Sequence, residues 1–246
     1  MRYAPSCQVL QQVQKQQRPN FRNCFAVQNP TNDLSYADLE VEIISSFFPT
    51  AQILTKQAAT KAALYDNHDL SFAHCVHFAC HSYFNLEFPL ESALILANGE
   101  RLTLADIFKL RLNQCRLVTL SAGETGLTGF RSPNHEYISL SSSFLSAGCA
   151  SVVSSLWKIN QVSTAFLMIK FYQNLMKNQS SVAKALNNAQ RWLRDATPQQ
   201  LLDWVNQLNL DEDKMTQIED QLDWYNPDDK PYNDPYHWAA FCAIGQ

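Results

Sequence analysis

Apolar and polar residues fall into blocks whose spacing changes along the chain, and the spacing names the elements. Residues 1–20 are polar, with six Gln between Gln8 and Gln17 and no strong apolar period; a frayed helix or tail outside the core is expected there. From Phe21 onward short apolar runs alternate with helical patterns. Cys24-Phe25-Ala26-Val27, Ile53-Leu54 and the runs over 74–80, 115–120 and 151–157 predict strands. Residues 36–48 carry Leu39, Ile43, Ile44 and Phe47 at helical spacing, with Asp33 or Ser35 placed to cap them. Further helices are predicted over 58–65, 104–110, 137–147, 163–176 and 181–195, and a last strand over 237–244. Asn98-Gly99, between apolar stretches at 92–96 and 101–103, is a hairpin signal. Alternation of this kind predicts an α/β fold with a mostly parallel sheet and helices on both faces.

Length and composition narrow this picture. A chain of 246 residues, 46% hydrophobic and 17% charged, buries a sizeable core. One domain is expected over 21–246, with an acidic helical insertion at about 198–235. That segment holds ten acidic residues against Lys214 and Lys230, and Leu201, Trp204, Val205, Leu208 and Leu210 give it an apolar stripe. Its two readings are a solvated outer face and a docking surface for a partner. The net charge of −4 gives no footprint for nucleic acid, and no apolar run is long enough to span a membrane. Met1-Arg2-Tyr3-Ala4-Pro5 lacks the apolar core of a secretory signal, so the seven cysteines are expected as free thiols in a reducing cytoplasm.

Candidate chemistry gathers where strands end. His74, Cys75, His77, Cys80 and His81 crowd one strand, whose alternation puts Cys75, His77 and His81 on one face and His74 and Cys80 on the other. This is not the spacing of a structural zinc site, and Gly123 with Gly126 does not make a phosphate-binding loop, so neither metal nor cofactor is expected.

Two strand ends carry a resemblance. Val76-His77-Phe78-Ala79-Cys80-His81 and Leu117-Val118-Thr119-Leu120-Ser121-Ala122-Gly123-Glu124-Thr125-Gly126 resemble the CHAT family of caspase-like cysteine peptidases. Phe25-Ala26-Val27-Gln28-Asn29-Pro30, Leu102-Thr103-Leu104-Ala105-Asp106-Ile107, the block from Ala147 to Trp157 and Pro235-Tyr236-His237-Trp238-Ala239-Ala240-Phe241 are similar to that family in the same order. The resemblance implies a bacterial protein with a caspase-like fold and His81 as the catalytic histidine. Gly123 stands where the family keeps its nucleophilic cysteine, and Ser82 where a glycine offers an oxyanion-hole N–H. His135 and Gln161 replace acidic residues expected on the loops.

A cysteine peptidase needs a thiolate, an imidazole and oxyanion donors, and Gly123 supplies no nucleophile. Cys80 is the nearest thiol in sequence, but alternation turns it away from His81. Ser121 and Thr125 read as strand-end and loop hydrogen-bonders, and Glu124 as a capping residue. The expected function is a pseudopeptidase that binds a protein or peptide. The alternative is an active cysteine endopeptidase whose nucleophile at position 123 has been substituted. Family members often stand behind tetratricopeptide repeats, so a repeat protein on another chain is an implied partner.

Overall fold

The computed structural model describes residues 18, 20–85, 87–122, 139–178 and 180–245, together with Gln8 and Gln11. The chain begins with β1 (Asn23–Gln28), α1 (Ser35–Ser46), β2 (Thr50–Thr55), α2 (Lys61–Tyr65), α3 (His68–Phe72) and β3 (Cys75–Ala79). A small meander, β4 (Ser82–Tyr83), β5 (Ala93–Ile95) and β6 (Arg101–Thr103), leads into α4 (Leu104–Ile107), β7 (Leu117–Ser121), α5 (Leu140–Ser146) and β8 (Ser151–Ser155). Last come α6 (Gln161–Asn178), α7 (Val182–Asp195), α8 (Pro198–Val205), α9 (Glu212–Leu222), α10 (Pro235–Trp238) and β9 (Phe241–Gly245).

Six strands form the main sheet in the order β2-β1-β3-β7-β8-β9, all parallel except β9. Residue parity divides each strand between two cores. Cys24, Ala26, Cys75 and Ala79 face α1, α6 and α7, whereas Phe25, Val27, Val76 and Phe78 face the side that holds α2 to α5. The expected α/β architecture with helices on both faces is therefore what forms. From β1 the chain goes to β2 by way of α1 on one face, then returns past β1 to β3 by way of α2 and α3 on the other. The connections after β1 and β3 diverge, and in open parallel sheets a crevice opens at such a reversal, beyond the carboxyl ends of the strands.

Local chemistry fixes the helix starts. Ser181 accepts from the Lys184 N–H, and Val182, Ala185, Leu186, Ala189 and Leu193 then form the buried stripe of α7. Thr103 and Asp106 close a capping box on α4. In the hairpin, Asn98 and Gly99 both take positive φ (59° and 73°), the conformation their residue types favour.

Several boundaries differ from the expected ones. Asp33 does not cap α1: Leu34 holds the cap position without a side-chain bond, and Asp33 turns elsewhere. The 58–65 helix is a single turn over Lys56–Ala58 followed by α2, and the helix expected over 137–147 is α5, with residues 137 and 138 outside the described residues. The last strand starts at Phe241, because Asp234 caps a short helix that Pro235 opens. Within the acidic segment, α8 and α9 bury Leu201, Trp204, Val205, Ile218 and Leu222 in the first core. Arg18, inside the polar 1–20 segment, donates from Nη1 to the carbonyls of Asn113 (2.8 Å) and Cys115 (2.7 Å). No described helix is long and apolar enough to cross a membrane.

Candidate functional site

The crevice beyond β1, β3 and β7 is a cleft of about 290 Å³ whose lining includes His81, Ser82, Cys80, Ser121, Ala122 and Gln161. His81 comes from the end of β3 and Asp33 from the loop between β1 and α1. The Nε2–H of His81 donates to both Asp33 carboxylate oxygens at 2.9 Å. The loop that delivers Asp33 is pinned to the histidine strand: the Asn29 N–H donates to the Ala79 carbonyl at 2.9 Å, and Asn29 Oδ1 accepts from the Leu34 N–H at 3.1 Å. Thr31 donates its hydroxyl to Asp33. That bond, with the one from His81, holds the Asp33 carboxyl below its ordinary value despite some burial. With Nε2 carrying the shared proton, Nδ1 keeps the ring's lone pair, so the imidazole has a basic nitrogen and an acidic partner that steadies the imidazolium.

Ser82 opens β4, the edge strand of the small sheet. The Ile95 N–H donates to the His81 carbonyl at 2.9 Å, and the antiparallel register pairs Ser82 with Leu94. Residue pairs alternate in such a ladder, so the Ser82 N–H points away from β5. Cys80 lies on the face opposite its neighbours Ala79 and His77, as alternation predicts, and packs in the second core. Burial pushes its thiol up to about 12, against a smaller opposing effect from the Ile95 N–H, so it is not a ready thiolate. Ser121 and Ala122 bring the end of β7 to the cleft, where the Ala122 carbonyl accepts from Ser155 Oγ at 2.5 Å. Gly123, which follows Ala122 in sequence, lies outside the described residues, as do Glu124, Thr125 and His135. Gln161 opens α6, and its Oε1 accepts from the Ser35 hydroxyl at 3.4 Å.

Beneath the cleft lies a second acid–imidazole pair. Glu40 Oε1 stands 3.0 Å from His77 Nε2, and both side chains are buried. The contact is close but off the hydrogen-bonding line, so neither atom has an aligned partner. His77 Nδ1 is 3.3 Å from the Tyr172 hydroxyl, which also lies 2.8 Å from Thr119 Oγ1 and 3.2 Å from Cys75 Sγ. Cys75 and His77 of β3 thus enter a side-chain network with Tyr172, and no group of three metal-binding side chains is present among the described residues. Neither Asp33 nor Glu40 is a site residue by sequence pattern alone. The available signal for Glu40 is a carboxylate on the same helical stripe as Ile43 and Ile44.

Comparison with known proteins places these features. Among solved structures, the complex of Porphyromonas gingivalis RgpB pro- and mature domains matches with a TM-score of 0.55 at 9% identity, over 97% of this chain and 52% of that one. The Arg-specific cysteine proteinase gingipain R matches with a TM-score of 0.50 at 10% identity, over 69% and 41%. A further structure, described only as a protease, gives 0.56 at 8% identity over 97% and 51%. The chain spans about half, or less, of the length of these proteins, and at such identities the likeness is one of fold. No curated protein matches the sequence significantly. The CHAT domain family model matches residues 1–246. With His81 at the end of β3 and the parallel sheet around it, the chain belongs to the CHAT domain family and has the caspase-like fold of clan CD cysteine peptidases.

Proposed function

We propose that this chain is a CHAT-type pseudopeptidase, a domain that binds a peptide or protein segment in its cleft without cutting it. One observation carries the reading: the cleft has an oriented imidazole but no usable thiol among its described residues. His81 is held by Asp33, Ser82 follows it at the position that the family resemblance assigns to the oxyanion hole, and the cleft is large enough to take a side chain. Glycine occupies position 123, and Cys80, although it borders the cleft, is buried on the face opposite His77 with its thiol pushed up to about 12. Ser121 cannot take over the reaction as placed, because it is mostly buried at the end of β7 and has no described hydrogen bond to His81.

The runner-up, a cysteine endopeptidase whose nucleophile at position 123 has been substituted, draws support from the intact His81–Asp33 pair. In that reaction the residue-123 thiol would lose its proton to His81 and attack the scissile carbonyl, while the amides of Ser82 and residue 123 would receive the oxyanion.

Cleavage of a peptide library by this chain and by its Gly123→Cys variant tests both. The expected result is cutting by the variant alone, abolished by a second change, His81→Ala. Cleavage by the parent chain overturns the pseudopeptidase reading. Failure of both chains to cut, with no peptide bound by either, overturns the assignment of the cleft as a peptide site.

A further inference from the structure

The face of α9 turned away from the core is acidic without compensation. Ile218 and Leu222 fix the buried side of the helix. At 100° per residue, Glu212, Asp213, Glu219, Asp220 and Asp223 fall on the opposite arc, and all five are exposed. None of the five is in an ion pair among the described residues. The one cation of α9, Lys214, is held by Glu42 at 2.6 Å and Asp211 at 2.9 Å, and the charge of Lys230 acts on Asp195 instead.

Helix stability alone argues against this arrangement. Glu219 and Asp223 are like charges at i,i+4, which repel. The last turn of α9 holds acids and no base, although the negative end of the helix dipole favours a cation there. Solubility calls for charge, but not for charge set against the dipole.

Exposed aromatic surface adjoins the acidic face. In the turn after α9, Trp224 is 88% exposed and Tyr225 40%. Trp224 has neither a hydrogen bond nor a ring partner among the described residues. A bare indole beside unpaired carboxylates fits a guanidinium, which stacks on the ring while its N–H groups donate to the acids. An ammonium would gain the charge without the stacking.

We propose that the outer face of α9 and the Trp224–Tyr225 turn dock an arginine-bearing segment of a partner protein. Trp224 is the anchor, and the carboxylates supply the field that draws the segment in. None of these residues lines the cleft, so the surface is independent of what the cleft binds.

Fluorescence anisotropy tests this with labelled peptides of about eight residues, long enough when extended to span the roughly 16 Å of α9. The peptides alternate serine with arginine, lysine, citrulline or glutamate. The arginine peptide is expected to bind tightest, at least about twofold tighter than the lysine peptide, and to weaken between about 50 mM and about 300 mM salt. Trp224→Ala should lower its affinity about two- to fivefold. Glu219→Gln, Asp220→Asn and Asp223→Asn combined should lower it at least about fivefold. A control that neutralises Asp66, Asp69 and Glu87, exposed on another part of the surface, makes the same change in net charge and should leave the affinity unchanged. No binding of the arginine peptide, or equal weakening by the control, overturns the docking surface. Equal binding of arginine and lysine peptides, or no loss in Trp224→Ala, overturns Trp224 as its anchor. The combined α9 variant is also expected to melt no lower than the parent, since the changes relieve repulsion. A lower melting temperature would show that these carboxylates stabilise the helix, and would overturn the reading that they are held for a partner.

Discussion

Two acid–imidazole pairs share one strand face and differ in almost everything but their chemistry. His77 and His81 are four residues apart, and each places Nε2 about one hydrogen-bond length from a carboxylate, 3.0 Å from Glu40 and 2.9 Å from Asp33. The side chains of the first pair are 0% and 4% exposed, those of the second 45% and 59%. Water separates their roles. In the buried pair each partner has given up hydration, so removing one strands the other in a medium that solvates it poorly. In the exposed pair water screens the attraction, which leaves little stability but a proton that can move. The same residue types thus hold the fold at one depth and offer chemistry at another.

Breaking the buried pair is expected to have the largest effect. His77→Ala removes the contact with Glu40 and the partner of Tyr172, and leaves a hole where a fully buried ring stood. A loss of about 3–5 kcal/mol in urea unfolding is expected. The matching change His81→Ala should cost less than about 1 kcal/mol. Equal losses at the two sites would show that depth does not separate them. Tyr172→Phe is a narrower cut through the same network. Its ring stays in place between Phe48 and Phe171, while Thr119, Cys75 and His77 lose a shared hydroxyl. About 1–3 kcal/mol is expected, measured in the same way.

The sequence shows these two pairs unevenly. His81 is legible because an apolar run ends at it and the motif around it resembles the CHAT family. Its partner is not: Asp33 sits before a helical stripe, where a cap is the natural local reading. Only the loop that turns at Asn29, with φ of 45° and a bond to the carbonyl of Ala79, carries it to the histidine. Glu40 is legible as an anomaly on an apolar stripe, but no local pattern tells which strand it meets. Strand parity is readable throughout β1 and β3, whereas the order β2-β1-β3-β7-β8-β9 is a long-range choice that periodicity does not encode. Two-residue β4 is too short to show a period. The apolar run after His237 hides the helix start that Asp234-Pro235 signals.

The exposed pair can be sharpened by activity instead of stability. In the Gly123→Cys background, Asp33→Asn is expected to lower peptide cleavage at least about tenfold, because the amide presents the wrong partner to Nε2–H and no negative charge to the imidazolium. The effect should lie in kcat, with peptide affinity nearly unchanged, since Asp33 is not among the cleft-lining residues. An unchanged rate would show that the carboxylate is not needed to orient His81.

The smallest effect expected is the pH dependence that Asp33 contributes to folding. Its carboxyl is held below the ordinary carboxylate value by the bonds from Thr31 and then His81. A carboxyl whose value is depressed on folding stabilises the folded state above its unfolded value, and that gain disappears as the pH falls through the folded one. The stabilisation from Asp33 should therefore be complete above about pH 4. It should fade in more acidic solution as the folded protein takes up the proton that the unfolded chain already carries. Solvent exposure keeps it below about 1 kcal/mol. Unfolding curves of the parent and Asp33→Asn should differ slightly at neutral pH and converge toward acid. A difference that instead grew on acidification would mean that the carboxyl is raised on folding, and the geometry of the Thr31–Asp33–His81 chain would then be wrong.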